Sequence, residues 1–109
     1  MNLRKYKNEG NMNINHIKYS QEVFPHCEIG KENYKGKIKV YMEPGEYIMD
    51  YCDEYQFIKE TYNDNSWSGE VLVNHYFNHL VEQYRPKHLR VVLFATTSGH
   101  FPIEISKEK

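Results

Sequence analysis

The chain has 109 residues, 39% apolar and 27% charged, with a net charge of −1. That length allows one domain, and that charge excludes a dedicated duplex binder, which would carry a basic face. No apolar run approaches the roughly 18 residues of a membrane-spanning helix, so no membrane partner is expected, and the two cysteines are expected to be reduced thiols in the cytoplasm.

Residues 1–12 are expected to form a polar arm, and residues 13–109 a single domain. Residues 13–25 (NINHIKYSQEVFP) alternate weakly around Ile14, Ile17 and Val23–Phe24, which predicts an irregular first strand ending near Pro25. Residues 26–35 read as a loop. Residues 36–43 (GKIKVYME) alternate clearly, with Ile38, Val40 and Met42 on one side and Lys37, Lys39 and Tyr41 on the other. That is a half-buried strand, stopped by Pro44-Gly45.

Residues 49–62 (MDYCDEYQFIKETY) have a helical rhythm. Met49, Cys52, Tyr55 or Gln56, and Ile58 are expected inside; Asp53, Glu54 and Glu60 are expected outside. Residues 63–68 (NDNSWS) break the pattern and offer several N-caps. A second helix is predicted over 68–84, where Leu72, Val73, Tyr76, Phe77, Leu80 and Tyr84 form a stripe wide enough to cover a sheet. Pro86 stops it. Residues 88–95 (HLRVVLFA) predict a strand, and Phe101, Ile103 and Ile105 alternate in a last one.

This order predicts an α+β domain: a four-stranded antiparallel sheet, ββααββ in sequence, with both helices on one face. The ten tyrosines suit subunit interfaces and planar-ligand sites. The helix-free face is expected to be aromatic enough to need another subunit over it, which predicts a homo-oligomer.

Three groups of residues can carry chemistry. Cys27, in FPHCEIGK, is either a small core residue at a strand end or a nucleophile, and a nucleophile needs a thiolate. Cys52 falls on the helix stripe and reads as core. His75 and His79, spaced i, i+4, share a helix face, but no further ligands complete a set, so no metal is expected. Glu70 lies in the first turn of the second helix, where the dipole favours it. Its carboxylate can also accept two N–H bonds from a guanine-like edge, with Trp67 beside it to stack on a ring.

Together these residues resemble a known family. The run from Cys27 to Ile105 resembles the 7-cyano-7-deazaguanine reductases of the tunnelling fold, known as QueF, and especially their QueF-like amidinotransferase branch. The resemblance rests on order: a cysteine loop, a strand ending in Pro44, a helix, an aromatic shortly before Glu70, then Val73-Asn74 and Pro86. EVLVNHYFNHLVEQYRPKHLRVV, residues 70–92, is its most family-like part.

The resemblance implies that the Cys27 thiolate attacks the nitrile of 7-cyano-7-deazaguanine to give a thioimide, and that Glu70 holds the base, with Trp67 and Ser68 beside it. Reductases then deliver two hydrides from NADPH. The amidinotransferase branch lets ammonia displace the thiol, giving archaeosine within tRNA. The base as such, or within tRNA or DNA, is the expected partner.

Three departures shape the expectation. The Lys-bearing NADPH motif is replaced by Asp50-Tyr51-Cys52-Asp53-Glu54, and the Arg-Gly-Gly of the last hairpin by Ser98-Gly99-His100. Both argue against hydride transfer, so no cofactor is expected. The family Asp seven residues after the cysteine is Tyr34 here, beside Asn33, and Gly69 replaces a His. Tyr34, Asn33 or Glu32 is left to supply the proton. The alternatives are a diverged NADPH-dependent reductase and a protein that binds a deazaguanine or purine without turning it over.

Overall fold

The computed structural model describes residues 3–10, 12–97 and 99–109. In chain order the elements are β1 (Lys5–Lys7), β2 (Ile17–Val23), β3 (His26–Cys27), β4 (Glu32–Asn33), β5 (Lys35–Glu43), β6 (Tyr47–Met49), α1 (Tyr51–Tyr62), α2 (Gly69–Tyr84), β7 (His88–Thr97) and β8 (His100–Glu108). The main sheet is antiparallel in the order β2-β5-β7-β8. The expected four strands and two helices are therefore present, and two small ribbons, β1-β6 and β3-β4, are added between them.

The pleat sorts the sheet into two faces. Ile38, Val40 and Met42 of β5 lie in register with Leu93, Val91 and Leu89 of β7. All six are buried, together with Leu72, Val73, Tyr76, Phe77, Leu80 and Tyr84 of α2. The stripe expected on the second helix is its buried face, residue for residue. α2 lies over β7 and β8, and α1 beside β2. None of the described helices is long and apolar enough to cross a membrane.

The opposite face departs from expectation. Its rows read Lys18–Tyr41–Arg90–Glu108, Ser20–Lys39–Val92–Ser106 and Glu22–Lys37–Phe94–Glu104. The Nζ of Lys39 sits 5.4 Å from the Phe94 ring centroid, and Tyr41 lies between Lys18 and Arg90. Long cationic side chains cover the aromatic rings and keep their charges in water, so aromatic content alone does not demand a covering subunit.

The arm is not free over its described part. β1 pairs with β6, and Arg4 grips Asp53 through Nε at 2.8 Å, Nη2 at 2.9 Å and its backbone N–H at 2.9 Å. Asp50 caps α1 by accepting from the Asp53 N–H. The arm thus fastens the N-terminus of α1 through a carboxylate that already favours the helix dipole.

The first helix buries Ile58, as expected, with Met49 just before it, but its inner row continues through Glu54 and Tyr62 rather than through Cys52 and Tyr55. Glu54 is buried, 2% exposed, while Cys52 is exposed. The reason is a polar cluster contributed by α2. Glu54 accepts from Tyr76 Oη at 3.0 Å, from His79 Nε2 at 2.8 Å and from Tyr84 Oη at 2.5 Å, and Tyr19 Oη joins Tyr76 Oη at 2.7 Å. A carboxylate with three donors is tolerated in a core where an unpaired one is not. His79 is accordingly no surface imidazole: it stacks on Phe57 at 3.9 Å.

Two outcomes follow from these contacts. Glu54→Ala leaves two phenols and an imidazole without their acceptor, and its unfolding free energy in urea should fall by about 3 kcal/mol or more; Cys52→Ser, on the solvent side, should stay within about 0.5 kcal/mol. The Arg4 hydrogen bonds hold the Asp53 carboxyl down at about 2. With an unfolded value near 3.9, that stabilisation is fully present above about pH 4 and is lost as pH falls through about 2. Arg4→Ala should therefore be less stable at neutral pH and lose less on acidification, read by denaturation at a series of pH values.

Candidate active site

Cys27 owes its position to a second chain segment. Beyond Val23 the strand leaves the sheet and runs against the break between the helices. The Phe24 N–H donates to Asn63 Oδ1 at 2.9 Å, Asp64 N–H to the Phe24 carbonyl at 3.0 Å, His26 N–H to the Asn65 carbonyl at 2.9 Å and Trp67 N–H to the His26 carbonyl at 2.8 Å. Asn65 in turn caps α1 by donating to the Glu60 and Thr61 carbonyls. The polar run NDNSW therefore spends its side chains and backbone on a seam that joins the cysteine segment to the start of α2.

The stretch expected to be a loop is a small hairpin. Cys27 opposes Glu32, and His26 opposes Asn33. Lys31, at φ 57°, makes the left-handed turn, and the Gly30 N–H points at Cys27 Sγ at 3.5 Å.

The pleat of this hairpin decides which residues meet. Cys27, Glu32 and Tyr34 face one cavity of about 290 Å³, whose lining includes Ser68 and Glu70 from α2, His100, and an apolar wall of Ile29, Ala95 and Ile103. Asn33 and His26 point to the other side, bonded to each other at 2.8 Å. Asn33 is thus not among the residues brought to the cavity, because neighbours on a strand face opposite ways.

Trp67 is also placed elsewhere. Its indole donates to the Thr61 carbonyl at 2.9 Å and packs edge-on against Tyr62 and beside His75. It anchors the seam rather than presenting a ring to the cavity. Tyr34 does line the cavity, but its hydroxyl donates to the Trp67 carbonyl at 2.7 Å. Burial first, then the charges of Cys27 and Glu70, push that phenol above its ordinary value, so it stays protonated and is a poor acid.

The start of α2 forms the facing wall. Ser68 is the N-cap residue but makes no side-chain capping bond, and Glu70 lies in the first turn. Neither the Glu32 nor the Glu70 carboxylate makes a side-chain hydrogen bond or ion pair among the described residues, whereas Glu28 takes Ser66, His26 and Lys31. Gly69 lets the helix approach the sheet: a Cβ there would lie 2.6 Å from Ile105 Cδ1. A side chain such as the family's His has no room without Ile105 moving. Ser98 of the departed Arg-Gly-Gly position lies outside the described residues, and His100 follows it onto the cavity rim.

His75 and His79 do not share a ligand site: His75 Nδ1 pairs with Tyr62 Oη at 2.8 Å while His79 turns to Glu54. Among the described residues no group of three or more metal-ligating side chains exists.

Sequence reasoning missed His100 as a lining residue and Glu32 as a direct partner of the cysteine. The available signal for Glu32 was its place opposite Cys27 across a four-residue turn, residues 28–31. If Tyr34 is a strut, Tyr34→Phe should cost about 1 kcal/mol, seen as a melting temperature lower by about 4–8 °C.

No protein-family model matches the chain, and no curated protein does. Among solved structures the chain is similar to the archaeosine synthase QueF-Like in its apo form. The TM-score is 0.79 over 88% of this chain and 94% of that one, at 14% sequence identity. At that identity the likeness establishes architecture: the chain has the QueF-like fold that its ordered residues resemble.

Proposed function

We propose that the chain is a QueF-like enzyme acting on the nitrile of 7-cyano-7-deazaguanine through Cys27, and that it is of the amidinotransferase kind. The observation that carries this reading is the meeting of Cys27 and Glu70 on one cavity. They lie far apart in sequence, and the seam between residues 24–27 and 63–67 brings them together. A nitrile carbon is a soft electrophile, and thiolate is the best nucleophile among common side chains near neutral pH. The cavity offers that sulfur, a free carboxylate for the donor edge of a guanine-like ring, the unused Ser68 hydroxyl, and apolar walls for the ring faces.

The resulting thioimide is open to ammonia, which adds to its carbon and expels the Cys27 thiolate, leaving an amidine. Reduction is the less supported fate. The acids in place of the Lys-bearing motif are occupied structurally: Asp50 caps α1, Asp53 is held by Arg4 and Glu54 is buried. A phosphorylated nicotinamide cofactor would meet carboxylates there. The base is taken free or within tRNA or DNA.

One observation favours a second reading. Asn33 is turned to His26 and the Tyr34 hydroxyl is committed to Trp67, so both residues nearest the family's acid are otherwise engaged. That supports a module that binds the base without turning it over.

The tunnelling fold carries the further proposal that copies join edge to edge. β2 and β8 each have one unpaired edge in the sheet, a liability that pairing removes. Sedimentation at micromolar concentration should show an oligomer; a monomer rejects the assembly.

The reading is tested by intact-mass analysis after incubation with the cyano base. Wild type should gain the mass of the base, and Cys27→Ala should not. Glu70→Ala should bind the base more weakly by about 1–3 kcal/mol for each donor left unpaired. Binding without a mass gain selects the binding module, and consumption of NADPH selects the reductase.

A further inference from the structure

Adding a thiol across a nitrile moves one proton. The sulfur must lose it, and the nitrogen must gain it. Some group on the cavity must carry it between them.

The candidates can be separated by what they already do. The Tyr34 hydroxyl is engaged by Trp67, and Asn33 faces away. Glu70 and Ser68 belong to the opposite wall, at the start of α2. His100 is exposed and its Nδ1 is turned to the Phe101 carbonyl. Glu32 remains.

Its position is specific. Glu32 is the cross-strand partner of Cys27, so both side chains project to the same side of the ribbon at close range. A Cβ built on Gly30 would lie 3.8 Å from Cys27 Sγ and 3.8 Å from Glu32 Oε1, so the two groups flank the same small residue. A Cβ on Gly99 would lie 2.8 Å and 3.0 Å from the two carboxylate oxygens. The carboxylate therefore packs against Gly99, where a Cβ would crowd it, and lies beside Gly30 next to Cys27. It is half-buried, lines the cavity and has no hydrogen-bond or ion-pair partner among the described side chains.

We propose that Glu32 is the catalytic proton carrier for Cys27. The inference rests on the nitrile reading above. The Glu32 carboxylate takes the proton of the Cys27 thiol. The sulfur then forms a bond to the nitrile carbon as one π pair of the triple bond moves to nitrogen. That nitrogen takes the proton back from Glu32, which returns to carboxylate. The sum is S–H added across C≡N, with no oxidant or reductant. Glutamate thus does from position 32 what the aspartate at the Tyr34 position does in the resembled family.

The test compares wild type, Glu32→Gln, Glu32→Asp and His100→Gln, all in a Cys27-intact, Cys52→Ser background. Adduct formation with the cyano base is followed by mass across a range of pH, and thiol alkylation by iodoacetamide is followed at pH 7. Binding of the base is measured in Cys27→Ala with and without Glu32→Gln. Glu32→Gln should slow adduct formation by about 10²–10⁴-fold and flatten its pH profile. Alkylation should persist near the wild-type rate, because the thiol stays in place and that reaction delivers no proton to a nitrogen. Binding should be unchanged within about threefold, Glu32→Asp should recover part of the rate, and His100→Gln, on the cavity rim, should lose much less rate than Glu32→Gln.

A collapsed hairpin would also weaken binding of the base and would not be rescued by Glu32→Asp. If Glu32→Gln forms the adduct at the wild-type rate with the same pH profile, Glu32 is not the carrier, and the Cys27 reading survives. Glu32 is equally ruled out as the carrier if His100→Gln shows the loss instead. If wild type binds the base and never gains its mass, the Cys27 reading itself fails and takes the proton carrier with it.

Discussion

The pairing of Phe24–Cys27 with Asn63–Trp67 is the contact on which the candidate site depends. One partner is the exit of an edge strand and the other is the break between two helices. Each is short and lies outside the main sheet and the helices. Backbone hydrogen bonds at 2.8–3.0 Å hold them together, each worth about 0.5–1.5 kcal/mol net. The same seam sets the start of α2, because Trp67 and Ser68 lead directly into Gly69. Cys27 and Glu70 are thus two ends of one rigid joint, and the Tyr34 bond to the Trp67 carbonyl closes it from below.

Glu54 does for the scaffold what the seam does for the site. It lies between the helices and ties α1 to three side chains of α2. Four of the ten tyrosines meet in or around it: Tyr19, Tyr76 and Tyr84 by hydrogen bonds, and Tyr62 by edge contact with the Tyr76 ring. Burial pushes those phenols above their ordinary values, so they stay as donors while the carboxylate accepts. Tyr-rich composition here fills a core that keeps a polar centre.

On the proposed function, the two walls of the cavity would divide the work of addition to a nitrile. One wall, from the hairpin, carries sulfur and a neighbouring carboxylate. The other, from the helix start, carries a carboxylate and a hydroxyl that have no side-chain hydrogen-bond partner among the described residues. Gly69 and Gly99 stand where an added Cβ would come within 2.6 Å of Ile105 Cδ1 and 2.8 Å of Glu32 Oε1. On the proposed reading the acid stands at position 32, and Gly69 leaves the helix start room against Ile105.

Much of this was legible in the residues. Period-two alternation placed β5 and β7, the six-residue stripe placed α2, and proline marked the ends, because those signals report burial against a large neighbouring face. The order of Cys27, Pro44, Glu70 and Pro86 was enough to indicate the fold. What the residues could not decide was which side of a marginal element faces inward. α1 has both an apolar and an acidic option for its buried side, and donors from α2, remote in sequence, make Glu54 the inner one. The cysteine loop pairs into a hairpin through only two residue pairs, and its pleat sends Glu32 and Tyr34 to the cavity and Asn33 away. Trp67 sits beside Glu70 in sequence, yet its ring is claimed by Tyr62 and His75. Local periodicity determined the long elements of this protein; contacts between short polar segments, which leave no periodic trace, decided the contents of its site.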